Sequence, residues 1–296
     1  MGVDFSCLLS AACFITGGAL SIAYQMKEKN QENFDYAEFT SLDPNYIQQD
    51  WQFRRENQAL ADAGGFINAF AWLFLSVPMI QAAVILSNGG TRKLSLHMFI
   101  GVLTIAGCSM EFLARFMHLG QSQWGYWLST EYNLATWAYA NDNIGWRTLQ
   151  VSHLVTYGSV IWIDSFEYLC LGFSLILFYV SVNSLPPDGP KITRSLAGFA
   201  LFIGLFSLAD FVAGVLRLRD WSTFRVLTML ISVINRLVLL PIFLLCLGCQ
   251  LPRAAAQHKG DVIPTSPTSV NRSRHWVDST SSPPPADNLE MVSQGD

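Results

Sequence analysis

Six long apolar stretches, separated by polar segments, leave this chain one architecture. A bilayer core about 30 Å thick takes roughly 20 apolar residues of helix to cross. Inside lipid the backbone must satisfy its own hydrogen bonds, so such stretches fold as helices. Composition agrees: 51% of residues are hydrophobic and 14% charged, against about 25% charged in a soluble domain. The expected fold is all-α, a polytopic membrane bundle of about six transmembrane spans with a disordered C-terminal tail.

The spans are expected near 5–24, 60–86, 94–117, 161–182, 195–216 and 224–249, giving a transmembrane domain over 1–251 and a tail over 252–296. The leader Met1-Gly2-Val3-Asp4 has no Lys or Arg, unlike the basic start of a signal peptide, although Ser21-Ile22-Ala23 resembles a cleavage site. Asp43-Pro44 is a good helix start ahead of the second span. Pro186-Pro187-Asp188-Gly189-Pro190 ends the fourth. Beyond Pro252 the chain turns to Ser, Thr, Pro and charge, a composition that cannot bury enough apolar surface to order.

Side B denotes the surface bearing the loops after spans one, three and five, and side A the other. Lys and Arg near the membrane number six on side A and eight on side B, so the positive-inside rule does not decide orientation. Ser266-Pro267 and Ser282-Pro283 in the tail suit proline-directed kinases, which places side A, and the tail with any protein partners it recruits, in the cytosol. The membrane itself, plasma membrane or endomembrane, is left open. The net charge of −4 carries no basic footprint for nucleic acid.

Charged residues inside spans cost roughly 2.5–3.5 kcal/mol each at the centre of a helix, so each needs a reason. The candidates are Asp62, Glu111, Arg115, Asp164, Glu167, Asp210 and Arg236. At about 1.5 Å of rise per residue, Glu111 and Glu167 lie roughly 9 Å from side B, Asp210 about 10 Å, and Arg236 about 18 Å, near the midplane. All fall in the side B half or the centre, and the side A half carries no charge. Glu111 and Arg115, four apart, are placed to neutralise each other; Asp210 and Arg236 are placed to bridge between helices. Five acids against two bases leave a formal −3, which suits a proton or a cation.

Side B also carries two long connections. Residues 118–150 are rich in aromatics, among them Trp124, Trp127, Trp137 and Trp146, and read as a headgroup belt or a lid. Residues 25–58 are acidic. Within the membrane region His97 and His118 sit at opposite ends of one span and cannot share a metal, Gly-x-Ser-x-Gly and Walker-type patterns are absent, and no lysine lies in a span. No cofactor is implied, and no catalytic set is visible. The expected function is transport or sensing of a small solute, a cation or proton-coupled solute fitting the acid excess, with Asp210, Glu167, Arg236, Glu111 and Asp164 as the binding residues. The competing expectation is a non-catalytic organiser whose polar residues pin helix packing.

Overall fold

The computed structural model describes residues 3–29, 51–87, 93–131, 144–185, 192–217 and 221–262. These residues form helices, with no strand among them: α1 (Phe5–Lys29), α2 (Gln58–Leu86), α3 (Leu94–Glu131), α4 (Ile144–Asn183), α5 (Arg194–Arg217), α6 (Trp221–Ile234) and α7 (Leu240–Val262), the last two joined by a π-helical turn, Asn235–Leu239. Residues 51–56 add a short helical piece before α2. Six helical segments are long and apolar enough to cross a membrane, with mean hydropathy from 1.6 to 2.4, and the sixth runs through α6, the π turn and α7. The outer surface agrees. On α3, Phe99, Val102, Ile105, Leu113 and Phe116 are all exposed at helical spacing, an apolar face that lipid covers and water would not tolerate. The chain is an integral, multi-pass membrane protein.

Consecutive helices pack side by side from α1 to α6, and α7 returns to lie on α1, α2 and α5, closing a ring. The closure is on side A. Asp4 caps α1, its Oδ1 accepting from Ser6 N at 3.0 Å and Cys7 N at 3.3 Å. Its own N–H donates to Gly248 O at 3.0 Å. That bond accounts for a departure from the sequence reading: α7 runs through Pro252, where the composition changes, to Val262. Proline at 252 has no N–H for the carbonyl four residues back. That carbonyl is Gly248 O, and Asp4 N–H takes the place of the missing donor.

Residues 118–131, expected in a side B connection, continue α3, and α4 starts at Ile144, close to the earliest helix start that the sequence allows, Trp146. The extensions are held by side chains that sequence spacing does not connect: Trp51 packs on Gly125, and Gln121 Nε2 contacts His153 Nδ1 at 2.9 Å. Residues 132–143, most of the acidic connection 25–58 and the tail beyond 262 lie outside the described residues.

The side A half holds the apolar core, where Phe14 meets Trp72 edge-on at 5.9 Å and Phe178 meets Phe243 edge-on at 5.9 Å. Among its buried polar groups, His97 Nε2 lies 2.6 Å from Ser181 Oγ and Thr104 Oγ1 2.9 Å from Ser174 Oγ. Because lipid tails are as apolar as leucine, helices associate in a membrane mainly through close packing. Gly172 of α4 and Gly204 of α5 permit it: a Cβ on either would lie 2.9 Å from the carbonyl oxygen of the other.

Candidate functional site

The side B half is built differently. There α1 and α6 share no packed interface, although both face the bundle axis. Among the described residues the ring is therefore closed on side A and split on side B, and the space inside is a cavity of about 1030 Å³, at the upper end of the size of ligand sites. It runs from Arg236 and Tyr168 near the midplane to Gln25, Arg54, Gln58 and Arg217 at the side B ends of the helices.

The π turn sets the floor. Pro241 cannot donate to Leu237 O, and the wall of the helix widens just before it: Leu240 N–H bonds to Asn235 O, five residues back. Asn235 is buried and donates Nδ2–H to Ser207 Oγ at 2.9 Å, fixing the turn to α5. The widened turn presents Arg236 to α4, where Nη2 lies 2.5 Å from Glu167 Oε1 and Nε donates to Tyr168 Oη at 2.5 Å. Pro241 was the sequence signal for this feature, a proline in the middle of an otherwise unbroken span.

Four of the five expected binding residues form one chain of alternating charge. Asp164 Oδ1 accepts from Arg115 Nη2 at 3.2 Å, Arg115 Nε stands 3.2 Å from Glu111 Oε1, Glu111 Oε2 is 4.0 Å from Arg236 Nη2, and Arg236 pairs with Glu167. Glu111 and Glu167 are fully buried and do not line the cavity. They stand behind it and hold the two arginines. Asp164 and Arg236 reach the cavity wall. Gly65 of α2 makes room for Arg115, since a Cβ there would lie 2.9 Å from Arg115 Cδ.

Asp210 stands apart from this chain. Expected to bridge to Arg236, it does not, because Glu167 and Tyr168 take the guanidinium. Asp210 is 1% exposed and lines the cavity, and among the described residues neither carboxylate oxygen has a hydrogen-bond partner. The neighbouring Ser232 hydroxyl lies 2.7 Å from Tyr168 Oη, and because either oxygen can donate there, the Ser232 proton remains available to Asp210. A buried carboxylate without a partner costs several kcal/mol unless something else neutralises it.

Tertiary structure also changes the charge count. Arg54 and Arg217, outside the spans by sequence, line the cavity with Asp62. Five acids then face four arginines, so the excess of acid is smaller than the spans alone suggest. Arg54 is engaged: its Nη1 lies 3.3 Å from His118 Nδ1 and its guanidinium sits over the Tyr157 ring at 5.4 Å. His153 packs on the same tyrosine and on Trp51, which is buried. Among the described residues Trp51 and Phe53 are deeply buried at this end, and they come from the segment before α2. Nothing in the local sequence marks them, because Trp51 is covered by α3 and α4 and Phe53 packs on Tyr24 of α1.

No family model matches this chain, and no curated protein or solved structure is similar to it.

Proposed function

We propose that the chain is a transporter or sensor for a small cation-bearing solute that occupies the side B cavity with its positive charge on Asp210. One observation carries the reading: a buried carboxylate without a protein partner faces a cavity large enough for a ligand, while the arginines around it are already engaged. A proton on Asp210 is the smallest occupant that fits, and makes proton coupling part of the same reading. Arg236 is the fixed counter-charge of the floor, and Glu111 and Glu167 hold the floor in place rather than touching the solute.

The organiser reading has its own support in the fully buried Glu111 and Glu167, whose partners are all within the protein. It accounts for those two residues and leaves Asp210 without a role. The experiment that separates the readings is thermal stability of the purified protein across pH and a panel of inorganic cations, amines and amphiphilic amines, wild type beside Asp210→Asn. A ligand of the folded state at a hundredfold excess over its Kd adds about 2.7 kcal/mol. A stabilisation present in wild type and lost in Asp210→Asn is the expected result. No stabilisation by any member of the panel, at any pH, favours the organiser.

A further inference from the structure

The cavity has a side opening as well as a mouth. Met26 of α1 and Val226 and Met229 of α6 line the cavity and are exposed, and they lie on the two helices that share no packed interface. They form the two edges of the α1–α6 split. Both lie in the last turns of their spans at side B, since the first span ends at Lys27 and the sixth begins at Val226. The opening is therefore at the level of the side B leaflet and looks into lipid. Ile22, Met26, Val226, Met229 and Val233 give it a largely apolar lining, interrupted by Gln25 and Thr228. Deeper in lies the Asp210 carboxylate, roughly 10 Å below the side B surface, a buried acid that, like the Asn68 Oδ1 on the same cavity, forms no close hydrogen bond among the described residues.

An apolar slot leading from the leaflet to a single buried acid matches a molecule with an apolar chain and a positive head. We propose that the occupant is an amphiphile with a primary ammonium head group, which enters sideways from the side B leaflet between α1 and α6, places its ammonium on Asp210, and leaves its chain in the slot. A primary ammonium has three donors and can serve both Asp210 oxygens. An anionic head group has no equivalent seat, because Arg236, Arg115 and Arg54 are each held by protein groups and Arg217, at the mouth, is engaged as well. This inference rests on the cation site proposed above and adds the class of ligand and its route.

The test uses the full chain in nanodiscs of phosphatidylcholine, with empty nanodiscs as the partition blank, and three probes: radiolabelled dodecylamine, methylamine with the same head and no chain, and dodecyl phosphate with the same chain and an anionic head. Saturable binding of dodecylamine is expected, weakened roughly tenfold or more in Asp210→Asn, a loss of at least about 1.4 kcal/mol. Asp210→Glu, which keeps the charge, is expected to retain binding. Met229→Trp and Val226→Trp, each narrowing the slot, are expected to slow association of dodecylamine. Should one of these fail to fold, as judged by size exclusion and circular dichroism, the other serves. Asp210-dependent binding of methylamine as tight as that of dodecylamine, or association unchanged in a folded slot variant, overturns the lateral route and leaves the cation site standing. Displacement of dodecylamine by dodecyl phosphate overturns the choice of head group. Failure of both amines to bind overturns the cation site itself.

Discussion

Arg236 and Asp210 share one wall of the cavity, yet Arg236 gives its hydrogen bonds to Glu167 and Tyr168, both on α4. The nearest acid in a simple reading of the helices is thus not the acid that neutralises the base. The consequence is a division between two kinds of buried carboxyl. Glu111 and Glu167 are held by arginines and hold them in turn, whereas Asp210 forms no ion pair with an arginine among the described residues.

The two kinds respond oppositely to the same chemical change. Glu167→Gln leaves the Arg236 guanidinium buried without its closest counter-charge, and breaking a buried pair from one side costs about 3–5 kcal/mol. Asp210→Asn removes a buried charge that no arginine pairs directly, Arg236 and Arg217 acting on it only from a distance, so the empty protein is expected to be as stable as wild type or more so. Thermal or denaturant unfolding of the two variants in detergent, without added solute, compares them directly. Equal destabilisation by both would contradict the division.

Pro241→Ala gives residue 241 an N–H that can reach Leu237 O and favours a regular α turn over the π turn. Closing the turn rotates Arg236 away from Tyr168 and Glu167. A double-mutant cycle of Arg236→Met with Glu167→Gln reads the effect: a coupling of about 1–3 kcal/mol is expected in the parent background. In the Pro241→Ala background it is expected to fall towards zero.

The Gly172–Gly204 approach predicts a steric result. Gly204→Leu forces a side chain against the Gly172 carbonyl and Ile176, and overpacking of this kind costs about 1–3 kcal/mol. Gly198→Leu is the control, because a Cβ on Gly198 meets nothing within 4 Å. Its unfolding midpoint is expected to stay near that of wild type.

Six crossings put the end of α1 and the end of α7 on opposite faces of the membrane. In a background freed of the native cysteines, Lys27→Cys and Arg253→Cys are expected to react with an impermeant maleimide from opposite sides of sealed vesicles. The side on which Arg253→Cys reacts in right-side-out vesicles also gives the orientation, which the near-equal basic counts of the two surfaces do not decide. Labelling of both from one side would contradict the crossing number.

What the sequence determined by itself is the class of fold and the depth of each charge. Both follow from one-dimensional facts, the length of the apolar runs and the rise of a helix; the structure has six helices long and apolar enough to cross a membrane, and Asp164, Asp210 and Arg236 line one cavity. The Glu111–Arg115 contact was legible for the same reason, since residues four apart share one helix face. What only the tertiary structure decided is which charge meets which. The partners of Arg236 lie 68 and 69 residues away, and reaching Glu167 instead of Asp210 depends on the π turn before Pro241 and on the packing of α4 against its neighbours. The same holds for Arg54, Trp51 and Arg217, which local sequence assigns to connections and the fold brings to the cavity or over it. Helix periodicity fixes where a side chain lies along its own axis. The rotation and tilt of one helix against another are set by contacts between them, by Gly172 on Gly204 and Asp4 on Gly248, and those contacts exist only once the bundle has formed.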